Sequence, residues 1–120
     1  MPRVKRDSTI LALLLLLTTI VYANSLHNPF VIDDQSIIIR NFLLRQWTLA
    51  DLLKTHLFSA IAPETQYYRP LTLLTFAINY GFSGLNPAGY HAFNLALHLL
   101  VVAMVYLLLA ELVPFWLAAF

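Results

Sequence analysis

Cysteine is missing from this sequence, which excludes a disulfide framework and a cysteine-ligated zinc site and leaves the redox compartment unmarked. Charge is scarce as well. Only 11% of the 120 residues are Asp, Glu, Lys or Arg, where soluble globular domains carry about 25%. Hydrophobic residues make up 60%, and that imbalance assigns the chain to the membrane. A net charge of +1, with no basic block interleaved with aromatics, gives no footing for nucleic acid. The three glycines form no phosphate-cradling loop, and no Ser–His–Asp order, metal-binding cluster or internal repeat stands out.

What is present is a set of long apolar runs. A basic start with Arg3, Lys5 and Arg6 precedes "STILALLLLLTTIVYANSL", long enough to span a bilayer over about residues 9–26. The positive-inside rule then puts the N-terminus in the cytoplasm. Val21-Tyr22-Ala23 also fits a small-x-small cleavage site, so a cleaved signal peptide is the competing reading. A second full-length run covers about residues 90–110. Glu111 and Pro114 predict a short turn before a third span that starts near residue 114, and a chain ending inside that run reads as the N-terminal fragment of a longer protein. The fold class is all-α: a polytopic helical bundle with an extracytoplasmic loop over about residues 27–88.

That loop carries Arg40, Arg45, Lys54 and Arg69, which weigh against its placement, but long loops obey the charge rule poorly. Within it "TLADLLKTHLF" predicts a short amphipathic helix lying along the membrane surface. Thr48 and Asp51 form a capping-box start, and Leu49, Leu52, Leu53 and Leu57 share one face. In "RPLTLLTFAINYGFSG", Pro70 opens a helix that Gly81 and Gly84 end. About a dozen residues cannot span a bilayer that needs about 20, so this helix is interfacial or re-entrant.

Three motifs could carry chemistry. In "FVIDDQSIIIR" the adjacent Asp33 and Asp34 sit a few residues beyond the first span. They suit a general base at the membrane edge, where partial desolvation raises basicity; they also suit the solvated turn that follows a membrane helix. Arg69, beside Tyr67 and Tyr68, suits a phosphate at headgroup depth, and equally suits interface anchoring. His91, Asn94 and His98 share one face of the second span. Two histidines seven apart are not the i, i+4 pair of a zinc helix. Hydrogen bonding between helices is the reading their spacing favours.

Taken in order, "FVIDD" and then "YYRPLTLLTFAINYGFSGLNPAGYHAFNLALH" resemble the amino-terminal region of the transmembrane O-mannosyltransferase family that carries C-terminal tetratricopeptide repeats. The resemblance runs from about Tyr22 to the end, and its most specific part is "YRPLT-LTF--NY" followed by "L-P-GYH--N--LH". That family and its bacterial relatives are GT-C glycosyltransferases, polytopic enzymes that use a sugar linked to a lipid phosphate. The resemblance implies a first extracytoplasmic loop that begins with the catalytic acid, so span one is retained rather than cleaved. Asp33 takes the place of that acid and Asp34 that of its acidic neighbour. Arg69 stands where related transferases hold a basic residue near the donor phosphate, while His91, Asn94 and His98 form a structural polar face of span two. The implied partners are the lipid bilayer, a polyprenyl-phosphate-linked sugar donor, with mannose suggested, and a protein or glycan acceptor. No cofactor is implied; some superfamily members use a divalent metal, which is not favoured here. The implied location is a multi-pass protein of the bacterial inner membrane. The alternative is a non-catalytic membrane scaffold that anchors tetratricopeptide repeats.

Overall fold

The structure, a computed structural model, describes residues 8–57 and 67–117, with side chains as far as Leu112. Every regular element among the described residues is helical. Helix α1 (Ser8–Tyr22) continues into a 3-10 turn at Ala23–His27. A π-helical turn at Gln35–Ile39 and a 3-10 turn at Phe42–Leu44 lead to the short α2 (Leu49–Lys54). Then come α3 (Pro70–Ser83) and the long α4 (Pro87–Leu117).

Among the described residues, Ser8–His27 and Pro87–Leu112 are the two helical stretches long and apolar enough to cross a membrane. A helix satisfies its backbone internally, which hydrocarbon demands. The side chains follow suit in α1, where the Thr18 and Thr19 hydroxyls donate to the Leu14 and Leu15 carbonyls, both at 2.8 Å. Leu13, Leu17 and Ile20 are left exposed, as lipid-facing residues would be. The chain is an all-α integral membrane protein over these residues.

At the far end the sequence expectation needs correcting. No turn forms at Glu111–Pro114; α4 carries through both to Leu117. Pro114 removes one donor, the one that would reach the Ala110 carbonyl. Breaking the helix beside an apolar run would leave several more backbone groups without partners, so continuation is the cheaper outcome in lipid. The third span expected from about residue 114 lies mostly outside the described residues.

The chain divides into two compact units: the span pair, formed by residues up to Ser25 with those from Ala92 onward, and the loop unit Leu26–His91. In the span pair, the rings of Tyr22 and His98 meet edge to face with centroids 4.9 Å apart. The loop unit has its own core of Ile37, Ile38, Leu44, Leu52, Leu57, Leu73, Ala77 and Tyr90. Each fully buried leucine contributes about 1.5–3 kcal/mol.

Helix α3 packs on α2 and the Phe42–Leu44 turn. Pro70 occupies its first turn and Gly84, at φ +55°, closes it, while the helix runs through Gly81. Its faces are sharply divided: Leu73 and Ala77 are buried, whereas Leu71, Ile78 and Phe82 stand exposed on the opposite side.

Helix α2 is shorter than the sequence predicts. Thr48 and Asp51 form the full capping box. After Lys54, however, Thr55 turns extended and its hydroxyl donates to the Asp51 carbonyl at 2.6 Å. Leu57 then donates its N–H to the Tyr67 carbonyl at 2.9 Å and reaches the core from outside the helix. The expected four-leucine face splits accordingly: Leu52 and Leu57 are buried, Leu49 and Leu53 exposed.

Candidate functional site

The segment bearing the aspartate pair is held at both ends. On its N-terminal side, His91 Nε2 lies 3.1 Å from the Asn28 carbonyl. The Phe30 ring packs edge to face on Tyr90 at 5.2 Å, and the Tyr90 hydroxyl donates to the Gly84 carbonyl at 2.9 Å. On its C-terminal side, the π-helical turn sends Ile37 and Ile38 into the core. Its wide ring is closed by the Arg40 N–H donating to the Gln35 carbonyl at 3.0 Å.

Between these anchors lies a tight turn. The Asp34 N–H donates to the Val31 carbonyl at 2.9 Å, and the Val31 N–H donates back to Asp34 Oδ2 at 3.1 Å. Asp34 is half-buried and committed to the turn. Asp33 is exposed, and among the described residues its carboxylate makes no hydrogen bond or ion pair. Neighbouring carboxylates repel if both project into one volume; here one is tied inward by a backbone donor and the other is left accessible. The two aspartates are thus chemically distinct despite being adjacent.

Arg69 is exposed just before α3, where its side chain caps nothing. Its guanidinium stands over the Tyr67 ring, 5.9 Å from the centroid, a cation–π contact that restrains the group without consuming its donors. It forms no ion pair with Asp33 or Asp34 among the described residues. The three polar residues of span two do not act together. His91 secures the loop unit through Asn28, His98 meets Tyr22 in the span pair, and Asn94 is exposed. No group of three His, Asp or Glu side chains among the described residues could hold a metal ion.

Sequence reasoning misses several residues that shape the site. Tyr90 and Phe30 read as ordinary apolar positions, yet their ring contact fixes the approach to the aspartates. Asn41 is buried, its Oδ1 accepting from the Leu43 N–H at 3.1 Å. Asn79 is buried too, its amide donating to the Thr75 carbonyl at 2.9 Å. Polar residues inside apolar runs were the available signal for these two. Ile32 adopts φ +34°, and nothing in a β-branched residue announces that.

No protein-family model and no solved structure matches the chain. Curated proteins do match it. Human Protein O-mannosyl-transferase TMTC4 is 40% identical over 84 residues, which cover 66% of this chain and 11% of that protein. Human Protein O-mannosyl-transferase TMTC3 is 39% identical over 98 residues, covering 78% and 11%. Drosophila melanogaster Protein O-mannosyl-transferase Tmtc1 is 32% identical over 102 residues, covering 82% and 12%. The chain thus spans only about a tenth of the length of these relatives. Over the residues matched, it is a relative of the TMTC protein O-mannosyl-transferases.

Proposed function

We propose that the whole protein is an integral-membrane glycosyltransferase that moves a sugar from a polyprenyl-phosphate-linked donor to a hydroxyl of an extracytoplasmic protein acceptor, and that Asp33 is its general base. The observation that carries this reading is the division of labour in the aspartate turn: Asp34 is bonded to Val31, and Asp33 is left accessible. The printed names of the relatives, all protein O-mannosyl-transferases, supply the reaction class and suggest mannose as the sugar.

In the reaction, an acceptor hydroxyl oxygen attacks the anomeric carbon while Asp33 takes its proton. The bond from that carbon to the donor phosphate oxygen breaks, and its electron pair leaves with the lipid phosphate. Base and leaving group lie on opposite sides of the sugar, as in inverting glycoside chemistry. Asp34 holds the turn in register. Arg69, steadied by the Tyr67 ring, offers a planar fork of donors to the phosphate. A lipid phosphate leaves readily without a metal ion, so the reading includes none. The N-terminus is cytoplasmic and the loop unit extracytoplasmic, in a bacterial inner membrane, with the Leu71, Ile78 and Phe82 face of α3 at the outer interface.

The test is sugar transfer by the purified full-length protein. Asp33→Asn keeps size and hydrogen bonding but removes basicity, and loss of a general base typically costs about 10²–10⁴ in rate. Turnover should fall by that order with donor-lipid binding intact, and Asp34→Asn should fall less. Near-normal turnover in Asp33→Asn would place the base elsewhere. A wild-type protein that transfers no sugar from any polyprenyl-phosphate donor would favour a membrane scaffold instead.

A further inference from the structure

Of the three polar side chains at helical spacing on α4, one is already engaged: His91 lies 3.1 Å from the Asn28 carbonyl. Asn94 and His98 remain, one turn apart and both exposed. Among the described residues neither makes a hydrogen bond, and His98 has only its ring contact with Tyr22. Depth makes this costly. The membrane-spanning stretch Pro87–Leu112 has 26 residues; at 1.5 Å per residue it measures about 39 Å, against a hydrocarbon core of about 30 Å. Asn94 lies roughly 10 Å and His98 roughly 16 Å from its N-terminal end. With the stretch centred in the bilayer, both side chains fall within hydrocarbon, where a polar group without a partner is heavily disfavoured.

Other polar side chains of this protein escape that cost on their own helix. Thr18 and Thr19 in α1 and Asn79 in α3 each donate to the carbonyl four residues back. Asn94 does not take the same route to Tyr90, so its amide stays available to a partner off the helix. Lipid tails offer neither donor nor acceptor at that depth, and headgroup phosphates lie too far out. Another protein element must supply the bonds. Length says where it comes from: the matched segment covers only 11% or 12% of each relative, which leaves about nine-tenths of such a chain beyond this sequence.

We propose that the Asn94–His98 face of α4 docks a later membrane-spanning helix of the same chain, beyond Phe120, and that the two side chains hydrogen-bond to polar side chains one turn apart on that helix. The pattern of exposure fits. Leu95, Leu99 and Val102 are half-buried along one stripe of α4, whereas Asn94, His98, Val101 and Val105 form a second stripe that is exposed. Apolar packing by Val101 and Val105 would continue the contact toward the other end of the helix, with the polar pair fixing its register. Whether or not Asp33 is a base, the two polar groups need this partner.

The experiment uses the full-length protein in lipid nanodiscs, with a benzoylphenylalanine photo-crosslinker replacing Asn94 or His98 in turn. Irradiation should join both positions to one and the same helix from beyond Phe120, within a single chain, as read by peptide mass spectrometry. Attachment to lipid, to a second copy of the chain or to α1 alone overturns the proposal, and so does attachment of the two positions to different helices. A second measurement turns on a sign. If the face met lipid, Asn94→Leu and His98→Leu would each remove an unpaired polar group and raise the thermal unfolding midpoint of the full-length protein. Against a polar partner each leaves that partner unpaired, so the midpoint should fall. A raised or unchanged midpoint in both variants overturns the proposal. The leucine variants carry no bulky label, so their midpoints decide the matter where a labelled protein fails to insert.

Discussion

The span pair and the loop unit are built from similar residues for different surroundings. Leu100 in α4 is 56% exposed, while Leu73 in α3 is fully buried. In the span pair, apolar side chains point away from protein, and hydroxyls such as those of Thr18 and Thr19 fold back onto their own helix. In the loop unit, leucines and isoleucines from four short elements converge on one core, and buried polar groups such as Asn79 find backbone partners. The difference teaches that hydrophobicity alone does not separate a span from a packed domain here; what each apolar face meets does.

The sharpest test of the span pair is to ask which compartment each of its ends faces. Under the proposed topology, a cysteine at Ser25 lies outside and one at Glu111 lies inside. A membrane-impermeant thiol reagent applied to intact cells should label Ser25→Cys and leave Glu111→Cys unlabelled until the membrane is opened. The contrast is all or none, and the reverse pattern would invert both spans. A mature chain that begins after Ala23 would instead identify the first span as a cleaved signal.

Energetics provides the next test. Leu73→Ala leaves a cavity in a closed core and should destabilise the loop unit by about 2–5 kcal/mol. At Leu100 lipid can fill the space, so alanine should change stability within about 0.5 kcal/mol. Urea-dependent proteolysis of the detergent-solubilised protein reads both. Equal effects would mean that Leu100 is packed against protein rather than lipid.

These two units also differ in how much the sequence reveals. The spans are legible because about 20 apolar residues in a row have few other uses, and α3 is legible because Pro70 and Gly84 mark its ends. The aspartate pair is legible as an oddity, being charge where charge is scarce. The core of the loop unit is not, since Ile37 and Ile38 enter it from a π turn and Leu57 from extended chain, neither of which follows a helical period. The left-handed backbone at Ile32 goes against local preference, and the nearby Phe30–Tyr90 packing joins residues 60 positions apart in sequence. Pro114 misleads in the other direction, because the rule that proline ends helices is weaker where water is absent.

A smaller effect is expected at the junction of α3 and α4. A Cβ on Gly89 would collide with the side chain of Ser83, so Gly89→Ala should cost about 1–3 kcal/mol of overpacking. Pairing it with Ser83→Gly removes the obstacle and should restore most of the loss, as measured by the same proteolysis. A double variant no better than Gly89→Ala would show that the glycine is required for another reason.

The smallest effect concerns acid and the capping box of α2. The Asp51 carboxyl is held below its ordinary 3.8, first by the Thr48 hydroxyl and next by the Thr48 N–H, with Lys54 adding a little. A carboxyl whose folded pKa is depressed contributes stability that is complete above the ordinary value and lost as pH falls through the folded one. Above about pH 4 the box should therefore be insensitive to pH, and acidification below that should loosen the N-terminus of α2 while leaving α1 and α4 intact. Amide hydrogen exchange at Leu52, whose N–H bonds to the Thr48 carbonyl at 3.2 Å, reports the change after correction for the intrinsic pH dependence of exchange. Thr48→Ala removes the largest of these causes, so it should raise the Asp51 pKa and move the loss of protection to higher pH. If protection at Leu52 falls at the same pH in both proteins, the Thr48 hydroxyl is not what holds the carboxylate.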